Sequence, residues 1–81
     1  MLNMQKFGRR IADLRLQSGL TQRQIATAVG VSIQAVSKWE RGLSCPDMML
    51  LDEIAVALGV GIVDLFEDQA SHVSSKKHEI I

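Results

Sequence analysis

The side chains best suited to chemistry lie between positions 34 and 41, where polar residues recur at helical spacing. If Val36 faces inward, a rotation of 100° per residue places Trp39 and Glu40 near the same inward direction. The opposite face then holds Gln34, Ser37, Lys38 and Arg41. Glutamine, serine and lysine can donate hydrogen bonds to the edges of nucleic-acid bases. This pattern favours a surface that reads a nucleic acid.

Two apolar residues of this helix could serve either the core or a nucleic-acid contact. Ile33 lies at the border between the two faces, so it could complete the core or contact a thymine methyl group. The sequence does not separate these two roles. Trp39 is expected to be chiefly a core anchor, although its indole N–H could reach a phosphate.

Two short helices joined by a tight bend must position this polar face. Thr21 and Gln24 have the spacing of a capping box, which predicts a helix start at Thr21. Gly30 suits the left-handed position that ends a helix, and Ser32 is a good cap for the next helix. A bend of residues 30–32 is too short for an antiparallel hairpin and predicts a steep crossing.

Apolar periodicity predicts three further helices, at about residues 4–17, 46–58 and 61–68. In the last of these, the inward residues are expected to be Ile62, Leu65 and Phe66. No strand pattern occurs, so the expected fold is all-α with five helices. We expect one domain at residues 1–68 and a C-terminal tail at 69–81 that is mobile or extends the last helix.

Two charged residues lie at the edges of faces that should be buried. Arg15 is only about 40° from Ile11 on the first helix, and Glu40 lies near the inward face of the third. A half-buried charge without a partner is costly. We therefore predict that Arg15 and Glu40 pair and tie the first helix to the third.

The charges of the chain are unevenly distributed although its formal net charge is zero. Residues 1–45 contain seven Lys and Arg against two Asp and Glu, and residues 46–81 contain two against seven. The basic half includes the polar helix face, which favours a polyanionic partner. Charges that are merely solvated would give the same composition.

Length and composition restrict the class of protein. A chain of 81 residues can bury one small core. It has no apolar run long enough for a membrane span, and its first residues lack the apolar segment of a signal peptide. A single Cys45 cannot form an intramolecular disulfide, so a reducing cytoplasm is the expected location.

The sequence contains little that suggests catalysis or cofactor binding. His72 and His78 fall in the predicted tail, and Cys45 stands alone, so no metal-ligand cluster is expected. Gly59 and Gly61 lack the third glycine of a phosphate-binding loop and a preceding strand. We expect no enzyme activity, no metal and no cofactor.

Residues 20–42, LTQRQIATAVGVSIQAVSKWERG, resemble the helix-turn-helix of the phage-repressor-like (XRE) family of bacterial regulators. The matching features are L-T-Q, an alanine four residues before G-V-S, V-S-K-W-E-R-G, and Pro46 followed by LLDEIAVALGV. The match runs from about residue 7 to residue 66. The resemblance implies a compact DNA-binding domain whose second and third helices form the helix-turn-helix, and it also implies the Arg15–Glu40 pair.

The resemblance implies a transcriptional regulator, expected to be a repressor that binds an inverted repeat in double-stranded DNA as a homodimer. Helix 3 would lie in the major groove and read bases through Ile33, Gln34, Ser37 and Lys38. Gln22 matches the family's phosphate-contacting glutamine. Other candidates for the DNA backbone are Thr21, Arg23, Ser32, Arg41 and Ser44. Arg9 and Arg10 are also weaker candidates for the backbone, and a solvated role fits Arg41, Ser44, Arg9 and Arg10 equally well.

An apolar surplus lies outside the predicted core stripe, at Met49, Val56 and Val63, with Met48 and Leu50 nearby. A small monomer should not leave a contiguous apolar patch in water, so helices 4 and 5 are expected to form a self-association surface. Scattered single exposed residues are the bland alternative. The alternative function is an antitoxin-like or accessory module that binds a protein partner through this surface.

Overall fold

The computed structural model describes residues 3–66, and within this range it is all-α, as expected. The four α-helices and two 3₁₀ turns are α1 (Met4–Gln17), α2 (Gln22–Val29), α3 (Ile33–Glu40), the first turn (Met48–Leu50), α4 (Leu51–Leu58) and the second turn (Ile62–Phe66). The predicted tail at 69–81 lies outside the described residues.

The prediction of a fifth α-helix is wrong, because the chain forms the 3₁₀ turn Ile62–Phe66 at that place. Asp64 is bonded to Gly61 at the start of this turn. Its N–H donates to the carbonyl oxygen of Gly61 at 3.0 Å, and its carboxylate accepts from the Gly61 N–H at 2.8 Å. The backbone bond spans three residues, which is the hydrogen-bond pattern of a 3₁₀ helix. Of the expected inward residues, Leu65 is buried, whereas Ile62 and Phe66 are 42% and 49% exposed.

The fourth helix also begins later than predicted. The Asp47 side chain accepts from the Met49 N–H at 2.9 Å, and the Asp47 carbonyl oxygen accepts from the Leu50 N–H at 2.8 Å. The segment after Pro46 therefore first forms the 3₁₀ turn, and the α-helix starts at Leu51.

The caps of α2 and α3 fix the bend between these helices. Thr21 Oγ1 accepts from the Gln24 N–H at 3.0 Å, and Gln24 Oε1 accepts from the Thr21 N–H at 2.8 Å, which completes the predicted capping box. Gly30 has a φ of 84° and donates to the carbonyl oxygen of Ala26 at 2.8 Å. Ser32 caps α3, because its Oγ accepts a hydrogen bond at 3.1 Å from a backbone N–H in the first turn of that helix.

One hydrophobic core joins all four helices. Its buried members are Phe7, Ile11, Leu14, Ile25, Ala26, Val29, Val36, Trp39, Ile54, Ala55, Leu58 and Leu65. Between residues 3 and 66, every buried side-chain nitrogen or oxygen has a hydrogen-bond partner. Helix α3, which the sequence predicts to read bases, packs against this core through the apolar residues of its inward face.

Gly8 allows the backbone of α1 to approach the end of α3. A Cβ atom at this position would lie 2.0 Å from the Trp39 carbonyl oxygen and 3.0 Å from that of Glu40. Glycine inside a helix costs about 1 kcal/mol relative to alanine. The close approach of the two backbones explains why glycine occupies this buried position.

Replacing Gly8 with alanine should lower the free energy of unfolding by about 3 kcal/mol, because the added methyl group would collide with backbone atoms. Urea denaturation measures this loss. Gly61→Ala is the matched control, since its Cβ would meet no atom nearer than Asp64 Oδ2 at 3.4 Å. We expect that control to stay within about 0.5 kcal/mol of the original chain. Equal stability of the two variants would contradict the close α1–α3 contact.

Candidate nucleic-acid interface

Helix α3 presents two chemically different faces. Val36 and Trp39 are buried, with 0% and 4% exposure. Gln34 and Lys38 are exposed, and Ser37 is half-buried. Because Gln34 and Lys38 are four residues apart, they share one side of the helix. The predicted polar face therefore lies at the protein surface.

Ile33 is half-buried and packs against the core. The structure thus gives this side chain a packing role, one of the two roles that its position on the wheel allows. Trp39 is a core anchor, as its burial shows.

A hydrogen-bonded cluster around Glu40 connects α3 to both preceding helices. Arg15 Nε donates to Glu40 Oε2 at 2.6 Å, and Arg15 Nη2 donates to Oε1 at 3.1 Å. Gln22 Nε2 donates to the same Oε1 at 2.9 Å. Arg15 Nη1 also binds the carbonyl oxygen of Leu20 at 2.8 Å. Glu40 therefore contacts one side chain from α1 and one from α2.

The two charges of this cluster are largely shielded from water. The side chains of Arg15 and Glu40 are 13% and 7% exposed. The hydrogen bond with Glu40 raises the pKa of the Arg15 guanidinium, while desolvation acts in the opposite direction. Arg15 therefore stays charged at neutral pH. Removing either partner would leave a poorly solvated charge, which is strongly destabilising.

Gln22 joins the helix-turn-helix to the ion pair, a contact that the sequence analysis missed. A carboxylate only accepts hydrogen bonds, so Glu40 holds the NH₂ group of Gln22 toward itself. The second N–H and Oε1 of Gln22 make no side-chain hydrogen bond in the described part of the chain. Periodicity within one helix could not have revealed a contact between positions 22 and 40.

Three hydroxyl residues flank this region. Thr21 and Ser32 are exposed, and Ser44 is half-buried. The oxygens of Thr21 and Ser32 accept the capping bonds from backbone N–H groups. Each hydroxyl can still donate its own proton to another acceptor, because an O–H group both donates and accepts.

The candidate arginines differ in their surroundings. Arg9, Arg23 and Arg41 are exposed. Arg10 is half-buried, and its Nε donates to the carbonyl oxygen of Asp64 at 2.7 Å. Arg10 is thus bound to the second 3₁₀ turn, a contact that the sequence pattern did not indicate.

All but one of the surplus apolar residues are highly exposed, whereas Leu50 is half-buried and packs against the core. Met49, Val56 and Val63 have 79%, 72% and 65% of their surface in water. Val56 belongs to α4 and Val63 to the second 3₁₀ turn, and these two elements pack against each other. We call Met49, Val56 and Val63 the apolar surface.

Residues 3–66 contain no group of three His, Cys, Asp or Glu side chains placed to hold a metal ion. The helices of this range are all too short or too polar to cross a bilayer.

Residues 11–65 match the protein family described as Helix-turn-helix, HTH_3. This chain belongs to the helix-turn-helix family of transcriptional regulators. The uncharacterized HTH-type transcriptional regulator y4dJ of Sinorhizobium fredii is 42% identical over 65 residues, which are 79% of this chain and 84% of y4dJ. The XRE-type resemblance expected from the motif is therefore confirmed.

A second relative is named as a repressor. The cryptic phage CTXphi transcriptional repressor RstR of Vibrio cholerae is 29% identical over 70 residues. The match covers 86% of this chain but 63% of RstR, so this chain spans less than two thirds of that protein's length.

Solved structures share the fold. The restriction-modification controller protein C.AhdI from Aeromonas hydrophila has 32% sequence identity and a TM-score of 0.74, covering 78% of this chain and 96% of C.AhdI. The clp gene regulator ClgR from C. glutamicum has 30% identity and a TM-score of 0.75, covering 82% of this chain and 85% of ClgR.

Replacing Glu40 with glutamine should lower the free energy of unfolding by about 2 kcal/mol. Three donors converge on the carboxylate, and an amide offers them one acceptor oxygen and no charge. Urea denaturation at neutral pH measures the loss. Glu53→Gln is the matched control, because Glu53 is an exposed carboxylate on α4. Equal stability of the two variants would show that the Glu40 cluster does not hold the helices together.

Proposed function

We propose that this protein binds double-stranded DNA in a sequence-specific manner and represses transcription. One observation carries the proposal: α3 exposes Gln34 and Lys38 while its other face is buried in the core. A helix that is anchored along one face and carries hydrogen-bond donors along the other fits the major groove. The Glu40 cluster holds the end of this helix and limits its movement against α1 and α2.

The exposed side chains suit particular bases. Gln34 can make a two-pronged contact with N6 and N7 of adenine, and Lys38 can donate to N7 and O6 of guanine. Ser37 can serve either base. The part of Ile33 that the core leaves uncovered can contact a thymine methyl group.

The start of α2 suits a phosphate. Backbone N–H groups and the helix dipole attract an anion there, and Gln22 has a second N–H available. The hydroxyl protons of Thr21 and Ser32, and the cations of Arg23 and Arg41, can add contacts to the sugar-phosphate backbone. Ser44, half-buried after α3, is a further candidate.

A two-fold dimer would give the protein its operator geometry. The reading helices of two copies would lie about 34 to 36 Å apart and meet the half-sites of an inverted repeat. The high exposure of Met49, Val56 and Val63 supports association, because apolar side chains gain free energy when a second copy removes them from water. Binding at a promoter would then exclude polymerase. The similarity to a relative named as a repressor supports this direction of regulation.

The exposure of the apolar surface also supports a second candidate, an antitoxin-like or accessory module that binds a protein partner. A salt titration separates the two functions. Affinity for DNA should fall steeply with salt, since phosphate contacts release counterions. Flat or absent DNA binding would favour the protein-interaction module.

Gln34→Ala should weaken binding to a duplex selected from a random pool by about 1 to 3 kcal/mol and relax the preference at one base position. Fluorescence anisotropy against a panel of single-base variants measures both effects. Gln17→Ala, a change of an exposed glutamine at the end of α1, is the matched control. Gln22→Ala should instead weaken all duplexes alike. If Gln34→Ala bound the panel as the original chain does, α3 would not be the reading helix.

Val63→Lys should abolish self-association at micromolar concentration, because it would place a charge in the apolar surface. Sedimentation equilibrium measures the change in mass. Thr27→Lys adds the same charge at an exposed position of α2 and should leave association unchanged. A chain that sediments as a monomer before any substitution would refute the dimer.

A further inference from the structure

Arg10 makes a contact that the proposed DNA-binding surface does not use. Its Nε donates to the carbonyl oxygen of Asp64 at 2.7 Å, which joins α1 to the second 3₁₀ turn. The adjacent residue, Val63, belongs to the apolar surface and is 65% exposed. We propose that Arg10 is a positioning residue that sets the geometry of the dimer by holding the second 3₁₀ turn, and with it Val63 of the apolar surface, at a fixed orientation to α1. This inference rests on the proposed function, DNA binding as a dimer.

The second turn needs support from other elements. Asp64 is bonded to Gly61, which precedes the turn, and 3₁₀ segments have poorer hydrogen-bond geometry than α-helices. Two side chains of the turn make apolar contacts with the rest of the protein. Leu65 is fully buried, and the ring of Phe66 stacks on Phe7 with centroids 5.3 Å apart. Apolar contacts tolerate small rotations, whereas the bond from Arg10 is directional.

Helix α1, which carries Arg10, also contacts α3 closely. Arg15 binds Glu40, and Gly8 brings the two backbones together. Helix α1 therefore links the second turn at one side to the reading helix at the other. A change in the orientation of the turn would alter the distance between the reading helices of a dimer. It would leave the reading face of each single copy intact.

The competing role for Arg10 is a direct phosphate contact through its remaining N–H groups. The two roles predict different results. A phosphate contact contributes to every copy that touches DNA, so its loss weakens half-sites and full sites alike. A positioning residue contributes only when two half-sites must be met at once.

The experiment compares the DNA affinity of Arg10→Met with that of the original chain. Three duplexes are used: a selected inverted repeat, one isolated half-site, and the repeat with one base pair inserted at its centre. Methionine keeps an aliphatic stem and removes the donors. Arg10→Lys restores a donor, and Arg9→Met controls for the loss of an exposed cation on the same helix. Circular dichroism confirms that each variant is folded.

For Arg10→Met we expect about tenfold weaker binding to the inverted repeat, which corresponds to one directional hydrogen bond. Half-site affinity should stay within about twofold, and the preference for the original spacing should decline. Arg10→Lys should recover most of the full-site affinity, and Arg9→Met should change half-site and full-site affinity by the same factor.

Three results would overturn the inference: an equal loss on half-site and full site, no loss on either, or an unfolded Arg10→Met chain. The first would indicate a phosphate contact and the last a residue needed for stability. Failure of the original chain to bind any duplex as a dimer would overturn the proposed function, and this result is visible before any variant is made.

Discussion

The carboxylate of Glu40 is the constraint on which the geometry of the helix-turn-helix depends. It accepts from Arg15 at 2.6 and 3.1 Å and from Gln22 at 2.9 Å. These bonds join the end of α3 to α1 and to the start of α2. Because the charges are largely shielded from water, losing one partner would leave another poorly solvated. The cluster therefore favours one relative orientation of three helices.

Such a cluster contributes more to orientation than to net stability. Replacing a buried ion pair with well-packed apolar residues is often neutral or stabilising, so stability comes mainly from the core. Val36 and Trp39 supply that part for α3, and Gly8 allows the backbones to approach. Directional bonds then select one arrangement among those that apolar packing alone would permit. A protein that must present Gln34 and Lys38 in register with bases requires this selection.

Much of this architecture could be predicted, because local chemistry determines it. The capping box at Thr21 and the left-handed Gly30 fixed the helix-turn-helix, and burial arguments paired Arg15 with Glu40. The 3₁₀ turns could not be predicted, because they depend on backbone bonds at Asp47 and Asp64 that periodicity does not record. The contacts of Gln22 and Arg10 could not be predicted for a related reason, because residues distant in sequence meet only in the tertiary fold. Gly8 did offer a signal, since a glycine on a buried helix face indicates close backbone approach.

A nuclear magnetic resonance titration of the labelled chain with a selected duplex would show directly whether α3 meets DNA from a preformed framework. We expect the largest shifts on the backbone of α3, on the side-chain amide of Gln34 and on that of Gln22. Resonances of the Arg15–Glu40 pair should move little, because the cluster is already formed in the free protein. Shifts confined to α4 and the second 3₁₀ turn, with α3 unchanged, would contradict this role of α3.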